Sequence, residues 1–200
     1  MEDFCALLGL RPAAKYDTTW ERIAKAVRDH VPGSRRYDTF NQLARLLLLT
    51  YSLRNSDCHA KNLALLYTNR SDVQLSPTYD MITTTVYDGY QHNPPGISLM
   101  GRKTWAPGKT LSRFIAATFG IALKEQVKMV EAISDAISDT APRVREAMSR
   151  HEDFYELGAR MLGTWNEGVA GLRERRVYSL PGWSPGGAFD DLYGDRKSVV

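Results

Sequence analysis

Cysteine is scarce: Cys5 and Cys58 are the two in a chain of 200 residues. Two thiols make no disulfide framework, and neither sits in a CxxC or zinc-ribbon spacing. The fold must then rest on buried apolar surface, and a reducing, cytoplasmic setting is expected. Long hydrophobic runs are lacking too. The strongest, Leu46 to Leu49, falls between Arg45 and Arg54, far short of the ~20 apolar residues of a membrane span. Glu2 and Asp3 stand where a secretion signal needs basic residues, so no signal peptide is expected. No charge of one sign dominates: 26 Lys and Arg face 23 Asp and Glu, a net of +3. Nucleic-acid binding needs a concentrated basic face, so neither direct nucleic-acid contact nor a membrane partner is expected. The G-x-x-x-x-G-K-[ST] phosphate loop is absent, which leaves Gly186-Gly187 without that role. Internal repeats and low-complexity blocks are absent as well.

What remains is the composition of one globular domain, 43% hydrophobic and 24% charged. The pattern predicts a mainly α fold with a small β-hairpin insertion. Glu2 to Leu10 reads as a short helix ended by Arg11-Pro12. Thr18 or Thr19 caps a second, with Glu21 at capping-box spacing from Thr18, and Pro32-Gly33 stops it near Val31. Asp38 to Arg54 is apolar on most sides and should be the buried central helix. Leu63 to Tyr67 and Val73 to Leu75, split by a turn cluster, predict the hairpin. Ser76 to Pro107 is rich in Pro and Gly and reads as functional loop, with a strand at Ile97 to Met100. Helices are expected again at Leu111 to Phe119, Lys124 to Ser138, Pro142 to Met148 and Glu152 to Tyr178. Residues 1–178 form the expected domain, and 179–200 a flexible Gly/Pro-rich tail.

The chemistry concentrates in Asn55-Ser56-Asp57-Cys58-His59-Ala60-Lys61-Asn62, between the buried helix and the hairpin. A second acid, Asp80, follows in Ser76-Pro77-Thr78-Tyr79-Asp80. A hairpin returns its flanks to each other, so Asp57, Asn62 and Asp80 can converge. That set suits metal-assisted phosphoryl transfer. One Asp takes the proton of an attacking hydroxyl, while an Asn and a second Asp hold Mg²⁺ on ATP phosphates. The Asp57 to Asn62 interval matches that of the kinase loop H-R-D-x-x-x-x-N.

Asp57-Cys58-His59-Ala60-Lys61-Asn62, followed by Ser76-Pro77-Thr78-Tyr79-Asp80, resembles the HipA-like serine/threonine kinase toxins. Their catalytic loop reads Gly-Asp-x-His-x-Lys-Asn, with a Pro-x-Tyr-Asp element after a hairpin. Glu2 to Cys5, Leu8 to Leu10, Lys15-Tyr16 and Ser112 to Ala116 extend the likeness, which runs from Glu2 to about Ala170. The resemblance implies the C-terminal lobe of a protein-kinase-like fold. It implies Asp57 as catalytic base and Asn62 and Asp80 as Mg²⁺ ligands. His59, Lys61 and Tyr79 would line the ATP site, Lys61 near phosphate and Tyr79 near adenosine. It further implies a helix-turn-helix antitoxin as partner and an aminoacyl-tRNA synthetase as substrate. Ser56 departs from the family glycine before the catalytic Asp. The family's N-terminal lobe, with its phosphate-covering loop and ATP-binding Lys, does not lie in these residues. Little turnover by the chain alone is therefore expected.

Two other functions compete. One is a non-catalytic remnant or interaction module that binds an antitoxin. The other is a metal-dependent phosphoesterase, on the D-x-H spacing of Asp57 and His59. His30, His92 and His151 are expected at the surface, Cys58 inert, and the four tryptophans as packing anchors.

Overall fold

A computed structural model describes residues 1–69, 71–174, 176–183 and 189. The fold is mainly helical with one small antiparallel sheet, as the pattern predicts. A two-residue strand, β1 (Glu2–Asp3), runs directly into a single helical turn, α1 (Phe4–Leu7). The Asp3 carboxylate accepts from Ala6 N at 2.9 Å and caps that turn. The helix expected over Glu2 to Leu10 is therefore shorter, because its first residues pair with a strand instead.

Helix α2 (Trp20–His30) is capped by Thr19, whose hydroxyl accepts from Arg22 N at 3.2 Å. The capping box with Thr18 does not form: Glu21 Oε1 accepts from Met100 N at 2.8 Å instead. Helix α3 (Gly33–Leu53) starts five residues before the expected Asp38, directly after Pro32. Pro is at home beside a helix start, where a missing N–H leaves no bond unmade. Its C-cap, Arg54, takes the left-handed conformation (φ 54°) and turns the chain out of the helix.

The hairpin pairs β2 (Ala64–Asn69) with β3 (Asp72–Leu75), Leu65 opposite Leu75 and Tyr67 opposite Val73. Strand β1 joins the other edge of β2, with Asp3 opposite Ala64. From Ser76 to Gly108 the chain is irregular apart from a 3₁₀ turn at Thr84–Val86. The strand expected at Ile97 to Met100 reduces to isolated bridges, Thr19 with Ser98 and Leu99 with Arg102.

Helix α4 (Lys109–Phe114) passes into one π turn, Ile115–Phe119, closed by Gly120 at φ 73°. Helix α5 (Leu123–Arg150) is continuous through Pro142, where two helices were expected. Its inner face meets α6 (Tyr155–Arg173) through Ile137, Ala141, Val144 and Met148 packed on Leu162, Trp165 and Val169. This burial outweighs the backbone bond that Pro142 removes. Helix α6 ends at Arg173, short of the expected Tyr178. The expected tail lies mostly outside the described residues.

Helix α3 runs through the main core. Leu43, Leu47 and Leu48 are fully buried among Phe4, Trp20, Ile23, Val27 and Leu63. Each such side chain contributes about 1.5–3 kcal/mol. At the C-terminal end of α3, helix α6 lies directly on its backbone. A Cβ on Gly168 would stand 2.1 Å from Ser52 O. The end of this buried helix is thus fixed, and the polar loop hangs from it. No described helix is long and apolar enough to cross a membrane.

Candidate active site

The loop Asn55 to His59 leaves α3 through Arg54 and re-enters regular structure in a 3₁₀ turn, Ala60–Asn62. Asn55, 1% exposed, organises it. Its Oδ1 accepts from Asp57 N at 3.1 Å, and its Nδ2 reaches Asp80 O at 3.5 Å. One buried amide therefore joins the Asp57 loop to the backbone of Asp80. Thr84 does similar work from the other side. Its hydroxyl donates to Arg54 O at 3.1 Å and accepts from Ser56 N at 2.5 Å. Trp165 Nε1 donates to Thr83 Oγ1 at 2.7 Å and ties this segment to α6.

The hairpin brings Asn62 and Asp80 together. Asn62 Nδ2 donates to Asp80 Oδ2 at 2.6 Å, and Asn62 Oδ1 accepts from His59 N at 3.0 Å. Asn62 is buried and Asp80 exposed. Asp80 sits at φ 54°, a left-handed conformation that short polar side chains reach more readily than others. Backbone outliers of this kind concentrate at functional sites. Tyr79 donates to Lys61 O at 2.7 Å, so its ring packs beside the 3₁₀ turn, while the Lys61 side chain is exposed.

Asp57 is partly exposed and surrounded by donors. Tyr16 donates to Asp57 Oδ1 in a short hydrogen bond. Lys15 Nζ lies 4.0 Å and His59 Nε2 3.8 Å from the same oxygen. The Tyr16 ring stands edge-on to His59, with centroids 5.1 Å apart, and Lys15 Nζ lies 4.9 Å from the Tyr16 centroid. Burial, followed by the bond to Asp57, holds the Tyr16 phenol above its ordinary range. Burial, followed by the Lys15 charge, holds the His59 imidazole below its ordinary 6.5. A neutral His59 leaves Lys15 as the cation nearest Asp57. Ala60 N donates to Lys15 O at 3.0 Å, which fixes the Lys15-Tyr16 segment on the loop.

Several of these roles escape a reading along the chain. Asn55 lies in the polar run but nothing in its type marks it as the bridge to Asp80. Thr84 carries no sequence signal. Gly96 carries only the general one of its Pro-Pro-Gly context. A Cβ there would stand 2.3 Å from Cys58 O and 2.8 Å from Ser56 O, so only glycine lets this loop lie on the Asp57 backbone. Ser56 itself is buried and bonds Thr84. Cys58 is buried, and burial pushes its thiol up to about 12. His30, His92 and His151 are exposed.

The sequence profile of the HipA-like C-terminal domain matches residues 1–148. The chain belongs to that family. Its likeness to a curated protein of Sinorhizobium fredii named "Putative kinase Y4dM" is 27% identity over 156 residues, 78% of this chain and 34% of that protein. Among solved structures it is similar to the Shewanella oneidensis HipA–HipB toxin–antitoxin complex with operator DNA. The TM-score is 0.58 at 15% identity, covering 94% of this chain and 45% of the matched one. At that identity the likeness concerns the fold. The chain spans between a third and a half of the length of these relatives.

In HipA-like terms, the donor set fits Mg²⁺ with ATP. Asn62 turns its Nδ2 to Asp80 Oδ2 and its Oδ1 to His59 N. Mg²⁺ commonly takes one or two carboxylate or carbonyl oxygens and fills its shell with phosphate and water. Asp80 Oδ1 and the second lone pair of Asn62 Oδ1 remain for such a role.

Proposed function

We propose that this chain is the catalytic lobe of a HipA-like protein serine/threonine kinase. Asp57 is the base, Asn62 and Asp80 hold Mg²⁺, and His59, Lys61 and Tyr79 line the nucleotide site. The observation that carries the reading is the Asn62–Asp80 contact at 2.6 Å, joined through Asn55 to Asp57. It pairs the Asn62 and Asp80 side chains and ties the backbones of Asp57 and Asp80 to one amide, which supports a phosphoryl-transfer site built from two separate segments.

Asp57 orients the acceptor hydroxyl and takes its proton as the new O–P bond forms. The bond from the γ-phosphorus to the bridging oxygen breaks, and ADP leaves. Asn62 and Asp80 fix where the phosphates sit. Mg²⁺, when bound there, neutralises the charge on those phosphates. Lys61, exposed at the turn, supplies a cation toward the same phosphates.

The phosphate-covering loop and ATP-binding Lys lie outside these 200 residues. The chain spans 34% of its Sinorhizobium relative and 45% of the Shewanella one, and we expect turnover by these residues alone to be slow. A helix-turn-helix antitoxin is the proposed partner, and an aminoacyl-tRNA synthetase the proposed substrate. The complex in the related Shewanella structure supports the first of these. Among the described residues no three His, Cys, Asp or Glu side chains converge. That favours a kinase-type site over the phosphoesterase alternative, which needs a larger ligand set.

Ligand linkage tests the reading. Saturating Mg·ATP should raise the melting temperature, and the rise should vanish in Asp80→Ala. A chain that melts cooperatively but never shifts with Mg·ATP would favour the non-catalytic antitoxin-binding module instead.

A further inference from the structure

A cavity of about 580 Å³ opens beside Asp57. Its wall includes Tyr16, Asp57, Tyr87, Tyr90, Pro95 and Lys103. None of the residues assigned to the nucleotide lines it. Such a volume suits a ligand the size of a few peptide residues.

Its chemistry is specific. Tyr87 and Tyr90 are 47% and 54% exposed, and Ile82 on the same wall is 42% exposed. Exposed tyrosines grouped around a concavity are typical anchors of a binding surface, since each ring offers large area at little entropic cost. The wall is preformed. Tyr90 N bonds Tyr87 O, Asn93 N bonds Tyr90 O, and Trp105 Nε1 bonds Asn93 O at 2.9 Å. Arg160 pairs with Asp88 at 2.8 Å and neutralises the acid of this loop. Lys103 makes no ion pair among the described residues and leaves a positive charge on the wall. At the floor, the Tyr16 hydroxyl is already docked on Asp57 Oδ1, so this end of the cavity accommodates a hydroxyl bonded to that carboxylate.

We infer that this cavity seats the phosphoryl acceptor, an extended polypeptide segment. Its Ser or Thr hydroxyl takes the place of the Tyr16 hydroxyl at Asp57. A neighbouring aromatic side chain packs among Tyr87 and Tyr90, and an acidic one faces Lys103. This inference rests on the phosphoryl-transfer reading and adds the flanking side chains that Tyr87, Tyr90 and Lys103 select.

Peptide arrays test it without nucleotide, so that failure of ATP binding and failure of this inference stay separate. The probe is a set of peptides with a fixed central Ser and each flanking position varied. The expected retention favours aromatic and acidic flanks over alanine by about tenfold. Lys103→Glu should turn the acidic preference into a basic one, and Lys103→Arg should keep it. Tyr87→Ala with Tyr90→Ala should abolish the aromatic preference. Equal retention across flanks, or an acidic preference that survives Lys103→Glu in a cooperatively melting chain, would overturn the inference.

Discussion

Asn55 holds two backbones at once, and both belong to the candidate site. With its amide removed, Asp57 N and Asp80 O lose a buried partner. A buried polar group left unpaired costs about 1–3 kcal/mol. Asn55→Ala should lower stability by about that amount in urea titration, and weaken Mg·ATP binding beyond what the stability loss explains. His59 gives a prediction in pH. Burial, then Lys15, hold its imidazole below 6.5 in the folded chain. The unfolded chain therefore takes up this proton at higher pH than the folded one. The stability linked to His59 is full above pH 6.5 and is lost as pH falls through the lowered folded value. Between about pH 7.5 and about pH 5.5 the urea midpoint should drop less in His59→Gln than in the unmodified chain. An identical drop in both would assign the acid loss to other groups.

Pro142 shows where local signals mislead. The residue is exposed, and only its backbone consequence reaches the helix. A proline inside a helix costs about 3 kcal/mol. The packing of α5 on α6 carries that cost, so Pro142→Ala should stabilise the chain by up to about 3 kcal/mol in chemical denaturation. No gain would mean that the helix is already broken there in solution. The same contest explains what was legible. Helix α2, the hairpin and the bulk of α3 follow from apolar spacing and caps that act locally. The ends that moved depend on partners far along the chain. Glu2 and Asp3 form a strand because β2 offers them an edge, and Glu21 leaves its capping box for Met100 N. The candidate site divides in the same way. Asp57, Asn62 and Asp80 are visible as residue types at a kinase-like spacing beside a hairpin. Asn55, Thr84 and Gly96 are not, because their work is contact between segments about 25 to 40 residues apart. Tyr16 enters only through the resemblance, and its contact with Asp57 spans 41 positions.

At the scale of the molecule, one end of α3 organises both the core and the chemistry. Helix α6 presses on Ser52, and Trp165 on the same helix holds Thr83. The first fixes the helix end from which the Asp57 loop leaves, and the second holds the segment that follows Asp80. On the proposed reading the described residues form a half-site, with Asn62 and Asp80 for the metal and a tyrosine-lined cavity beside Asp57. The chain covers 45% of the related Shewanella structure and 34% of its Sinorhizobium relative. A half-site of this kind should bind Mg·ATP even where it turns over slowly. The direct measurement is calorimetric titration of Mg·ATP into the purified chain, with Asp80→Ala and an EDTA arm alongside. The expected result is a saturable heat that both the substitution and chelation remove. No heat at millimolar Mg·ATP, or a heat that survives Asp80→Ala, in a chain that melts cooperatively, would contradict the assignment of Asn62 and Asp80 to the metal.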